Sequence, residues 1–147
     1  MNEAHELFGT PRSIKWNPIP GEMENTDWAY LAGLIDGDGS IYMKRQKKNP
    51  NSHHPAVVIH MNEGPWIDAI RKTKIGNFYR HKRHGLAKKS FQIHWNVQRI
   101  EDVLYLLENL LPYLRVKHDT ALRMITAIQT DTKESFLNQN QMKEVIL

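Results

Sequence analysis

Two carboxylates two residues apart, Asp36 and Asp38, alternate with glycines in the run Asp36-Gly37-Asp38-Gly39. Carboxylates of this kind bind hard cations when backbone carbonyl oxygens, water and a substrate phosphate complete the shell. An ion held that way can activate water and stabilise an oxyanion leaving group in phosphodiester cleavage. The run follows Trp28, Ala29, Tyr30, Leu31, Ala32, Leu34 and Ile35, an apolar stretch that predicts a helix buried nearly all round. A helix C-terminus carries partial negative charge, so acids are unfavourable there. Two of them at the end of a buried helix imply a cation nearby. A calcium loop of the EF-hand type starts in a similar way. Counted from Asp36, however, its sixth position is Ile41 instead of Gly and its twelfth is Lys47 instead of Glu, so that reading fails. A plain polar helix-to-strand turn is the remaining account, and it leaves the acids with nothing to offset them.

The chain that must position these groups has 147 residues, a length that suits one domain with a proper core. Residues 1 to 25 hold Gly9, Pro11, Pro18, Pro20 and Gly21 and read as an irregular arm; 26 to 147 read as the domain itself. There is no cysteine, which excludes disulfides and thiolate metal sites and suits an intracellular protein, in a prokaryotic cytoplasm or an organelle. No apolar run approaches the ~18–20 residues of a membrane span, and the first residues lack a signal-peptide layout. The net charge of +4 favours an anionic partner.

Thr26 or Asn25 can cap the first helix, which stops at Gly37. From Ser40 the period changes to two, and a turn at 49–52 leads to a second strand from about Pro55 to Asn62. A short helix from Trp66 to about Lys74 follows, then a strand around Phe78 and another from Ser90 to Gln98. Helices from about Ile100 to Leu111 and Lys117 to Thr130 close the pattern. The expected class is α/β of the α+β kind, in the order αββαββα, with an antiparallel sheet covered by helices on its apolar face.

The opposite sheet face is lined by Tyr42, Lys44, Gln46, Lys48, His60, Asn62, Tyr79, His81, Arg83, Gln92, His94, Asn96 and Gln98. None of these positions is Asp or Glu, whereas a merely solvated face is usually mixed in sign. Lys and Arg pair with guanine, Asn and Gln with adenine, and a β-ribbon fits a B-DNA major groove. Double-stranded DNA is therefore the expected partner, with Asp38 at the edge of the DNA face.

With those residues in view, LAGLIDGDG at 31 to 39 is similar to the signature of the LAGLIDADG homing endonucleases in eight of nine positions, Gly37 standing where the family has Ala. The resemblance covers roughly residues 26 to 130, including the αββαββα order, the stretch from Trp66 to Arg83, and LLPYLRVKHDTA at 110 to 121. It implies that Asp38 and the Gly37 carbonyl bind a divalent metal, Mg2+ foremost, with Mn2+ or Ca2+ able to occupy the site. It implies that Lys117 orders catalytic water, and that His60, or else Asn62, touches the water network. Asp36 would serve helix capping and the subunit contact. A chain with one motif implies a homodimer packed about Ala29, Ala32, Gly33 and Asp36, self-complementary as a twofold axis requires. The two sheets would then form a saddle on a long pseudo-palindromic target. Such an intron-encoded enzyme would cut both strands to leave short 3′ overhangs. The rival is a relative that binds nucleic acid without cutting, either a DNA-binding regulator or a maturase acting on intron RNA.

Overall fold

The computed structural model describes residues 12–13, 19–45, 47–48, 53–82 and 91–130. Helix α1 (Asn25–Asp38) leads into strands β2 (Gly39–Arg45) and β3 (His53–Asn62). Helix α2 (Trp66–Thr73) precedes β4 (Asn77–Lys82) and β5 (Phe91–Val97), and helices α3 (Ile100–Leu110) and α4 (His118–Gln129) follow. The order is the one read from the periodicity, with one addition. Arg12–Ser13, inside the stretch read as an irregular arm, forms an edge strand, β1, paired with Tyr79 and Arg80. The sheet is antiparallel at every pairing and runs β1-β4-β5-β3-β2.

One face of this sheet carries Ile41, Met43, Val57, Ile59, Phe78, Ile93, Trp95 and Val97, all buried, and the four helices supply most of the rest of the core, α2 through Trp66 and Ile70. Burial of one face is what sets the register, because a one-residue slip would turn every one of these side chains to the other side. Trp95 is fully buried and its indole N–H donates to the Ile75 carbonyl at 3.0 Å, which satisfies its polar edge.

Helix α1 begins one residue before the start that an Asn25 cap implies and two before that of a Thr26 cap. Glu24 is its N-cap, and the Glu24 amide donates to the Asp27 carboxylate at 2.8 Å. Lys72 Nζ reaches the same Asp27 oxygen at 2.7 Å, tying α2 to the start of α1. The hydrogen bond from Lys72 holds the Asp27 carboxyl below the usual range.

The expectation that α1 is buried all round does not hold within the chain. Trp28, Leu31, Ala32 and Ile35 face the core, but Ala29, Tyr30, Gly33 and Gly37 are exposed. Apolar residues at successive helical angles fill both sides of the helix, and one chain has a core for only one side. Ala32, expected beside Ala29 and Gly33 on the flat side, is fully buried in the chain's own core. The open line is instead Ala29, Gly33 and Gly37, each four residues on from the last, flanked by Tyr30 at 49% exposure.

Gly39 is where α1 turns into β2, and it allows a close approach. A Cβ there would lie 2.7 Å from the Ile35 Cα, closer than real side chains come. Gly39→Ala is expected to push the end of α1 off the sheet and to lower stability by about 1–3 kcal/mol. Urea denaturation of the two proteins measures this, and equal midpoints would show that the junction has slack.

Candidate functional site

Gly39 pairs with Ile59 and Ser40 with Val58, so the end of α1 lies beside the middle of β3. Asp38, the last residue of α1, is exposed there and lines a cleft of about 320 Å³ with His60, Met61, Asn62 and Gln92. Three side chains expected at the site, Asp38, His60 and Asn62, are thus brought together, and Gln92 joins them from β5. His60 stacks on His94 across the β3–β5 pair, with ring centroids 3.8 Å apart and planes 12° apart.

Lys117 is the N-cap residue of α4 and lines a separate cleft of about 510 Å³ with Ser40, Tyr42, Val58 and Thr120. The two clefts adjoin along one face of β3, at Val58 and His60. The Lys117 ammonium donates to the Asp36 carbonyl at 2.8 Å, so within this chain it caps the C-terminal end of α1. A cation on those carbonyls is favourable because they carry the negative end of the helix dipole. An ammonium has three donors, so this bond leaves it two more to direct into the cleft.

Asp36 is bound on both oxygens inside one chain. It accepts the Arg115 amide at 2.8 Å and the Lys117 amide at 2.9 Å, with the Val116 amide contributing. Within one chain Asp36 thus makes a contact between α1 and the start of α4. Burial pushes the Asp36 carboxyl up, but the three amides and the Lys117 charge outweigh it and hold the group below its ordinary value of 3.8. The Asp38 side chain, two residues on, has no hydrogen bond or ion pair among the described residues. The sequence does not separate the two acids by environment; the packing of residues 115–117 against Asp36 does.

Whether this site suits a metal follows from its donors. Asp38 offers an exposed carboxylate, and α1 has no basic residue in its last turn to neutralise it. The terminal carbonyls of a helix lack intrahelical partners, so Gly37 can add an oxygen. Carboxylate and carbonyl oxygens are the donors a hard cation prefers. Among the described residues, no group of three or more His, Cys, Asp or Glu could hold a metal by itself. The donor set of one chain therefore fits a divalent ion only when water and phosphate, or a second copy, complete the shell.

The remaining candidate residues that the strand register places lie on the face opposite the core. Register puts Ser40, Tyr42, Lys44, His54, Val58, His60, Asn62, Gln92, His94, Asn96, Asn77 and Tyr79 on that face. Gln98 follows β5 and contacts His54. Lys48 is exposed beyond the end of β2. His81 is in β4 by its backbone, while Gln46 and Arg83 lie outside the described residues. His54, Asn77 and Ser40 were not anticipated. The alternation that marked the face contained all three, but they sit at strand ends, where a sequence pattern fades.

No family model matches the sequence, and no curated protein does. Solved structures do. The chain is similar to the homing endonuclease I-CvuI in complex with its target in the presence of Ca, with a TM-score of 0.58 and 20% identity. That match covers 82% of this chain and 80% of the other. It is similar to the archaeal intron-encoded homing endonuclease I-Vdi141I complexed with DNA, with a TM-score of 0.56, 18% identity, and 84% and 79% covered. It is similar also to the homing endonuclease I-TnaI, with a TM-score of 0.56, 13% identity, and 85% and 84% covered.

The Asp36 contacts carry a stability test. A carboxyl held low contributes stability above its unfolded pKa, and that contribution is lost as pH falls through the folded value. Asp36→Asn is expected to cost about 1–3 kcal/mol at pH 7. The gap from wild type should narrow as pH falls below the ordinary carboxyl value of 3.8. Chemical denaturation across pH measures it, and a gap independent of pH would remove the ionic part of the argument.

Proposed function

We propose that this chain, which has the fold of the LAGLIDADG homing endonucleases, is a homodimeric, divalent-metal-dependent DNA endonuclease. Its target in this reading is a long pseudo-palindromic duplex, cut on both strands to leave short 3′ overhangs, and its gene lies in an intron. The observation that carries the reading is the exposed Asp38 carboxylate, unpartnered among the described residues, at the edge of a sheet face without another acid.

Asp38 and the Gly37 carbonyl would hold the ion, Mg2+ in preference to Mn2+ or Ca2+. When bound, the ion supplies Lewis acidity toward a phosphate and lowers the pKa of water. The chain's own groups do the rest. Lys117 brings a positive charge to the neighbouring cleft, where a phosphate would be stabilised. His60 and Asn62 line the Asp38 cleft and orient water by hydrogen bonds. Lys44, Tyr42 and the polar residues of β3 and β5 hold the duplex against the sheet. Phosphate contacts set the register and base contacts set the sequence.

The glycines of α1 support the dimer. A Cβ at Gly33 or Gly37 would meet nothing within 4 Å in the single chain. Each glycine costs helix stability, about 1 kcal/mol relative to Ala, and the chain's own packing has no steric need for either. A second copy of α1 packed on the Ala29-Gly33-Gly37 line would supply that need.

Two experiments test this reading. Asp38→Asn is expected to lower magnesium-dependent cutting of a selected duplex more than about a hundredfold while leaving binding to it within about tenfold of wild type. A variant that cuts as wild type does would remove the metal assignment. Gly33→Leu is expected to convert a dimer to a folded monomer by sedimentation, with unchanged circular dichroism, because the position is open within one chain. A variant that still sediments as a dimer would place the interface elsewhere.

A further inference from the structure

Strand β5 places Gln92 and His94 on the same face, two residues apart. His94 Nε2 lies 2.8 Å from Gln92 Oε1. An oxygen at that distance accepts, so the ring nitrogen carries the proton and the glutamine's oxygen is committed to it. The His94 ring is itself held, stacked on His60 from the neighbouring strand. The Gln92 side chain has no other hydrogen bond among the described residues, so its NH2 group is the end left to meet a ligand.

An unconstrained glutamine reads adenine with both ends of its amide: Oε1 accepts from N6 and Nε2 donates to N7. With Oε1 taken, only the donor half remains. In the major groove guanine alone presents two acceptors side by side, N7 and O6. The two N–H bonds of the free amide end match that edge, whereas adenine would set its N6 donor against the Gln92 donor. Past the end of the strand the Gln98 side chain is likewise hydrogen-bonded to a histidine, His54, whose ring burial pushes below its ordinary value.

We propose that His94 is a specificity-determining residue: by holding Gln92 Oε1 it turns an adenine-reading side chain into a guanine reader. The inference rests on the reading of this face as a duplex-binding surface. His94 acts through Gln92 and is a positioning residue, with base preference as its output.

Selection of bound duplexes from a randomised pool tests it, with the full chain as wild type, Gln92→Ala, His94→Phe and Gln92→Glu. The base pair whose preference relaxes in Gln92→Ala marks where Gln92 reads. Wild type should select guanine there. His94→Phe keeps an aromatic ring for the stack on His60 but removes the N–H. It should shift the guanine-to-adenine ratio at that pair about tenfold toward adenine and leave the other positions unchanged. Gln92→Glu keeps the bond to His94 and has no donor half, so it should select cytosine, whose N4 donates. His94→Leu, which also lacks the ring N–H, carries the His94 test should the Phe variant fail to fold. Adenine selected by wild type at that pair, or guanine retained by His94→Phe, would overturn the proposal. So would a profile that Gln92→Ala leaves untouched in a pool that still enriches. A pool that wild type never enriches would overturn the duplex-binding reading and this inference with it.

Discussion

The Asp36 carboxylate, held by the backbone amides of residues 115–117, is the contact on which the rest of the site depends. It joins the end of α1 to the start of α4 across a long sequence separation. Lys117 returns the contact from its side chain, which donates to the Asp36 carbonyl. The burial of a carboxylate is unfavourable by itself, and the three amides make it favourable. Because Asp36 is occupied in this way, the Asp38 carboxylate two residues on is left exposed over the sheet edge. Two acids of the same type thus sit in opposite environments, one bonded and one exposed.

The sheet supplies the second constraint. Gly39 lets β2 leave α1 without a gap, and the pairing of Gly39 with Ile59 sets Asp38 beside His60. The core side of the sheet is saturated with apolar residues, which fixes the register. The other side is thereby obliged to present every second residue outward. That is how side chains far apart in sequence, such as His60 and His94, come into a stack, and how Gln92 reaches the cleft of Asp38.

Much of this was legible in the sequence, for reasons that differ by element. The α1-to-β2 change of period, the alternation of β3 and β5 and the apolar stripes of α3 and α4 follow from burial, which leaves a repeating mark. The edge strand at Arg12–Ser13 left none, because two paired residues are too few for a period. Ala32 was assigned to the flat side of α1 although it faces the core, since an all-round apolar helix carries no angular signal to separate its faces. The sequence marks Asp36 for helix capping and a subunit contact; the amides of residues 115–117 that bind it within the chain belong to any backbone and so are invisible in side-chain identities. Asp38, His60 and Asn62 line one cleft, and strand alternation and the helix end both point to that edge. Lys117 lies in the adjoining cleft, a placement that depends on how α4 packs and on nothing local.

The central claim is that the exposed acid of α1 serves cutting of duplex DNA rather than binding alone. Selection for cleavage from a randomised duplex pool, with the wild-type dimer in magnesium and in chelator, tests it most directly. The account predicts that magnesium yields one twofold-related site cut on both strands with short 3′ overhangs, and that chelator abolishes the cuts. Enrichment of bound duplexes that remain uncut in magnesium would contradict it and would favour a nucleic-acid-binding protein without nuclease activity.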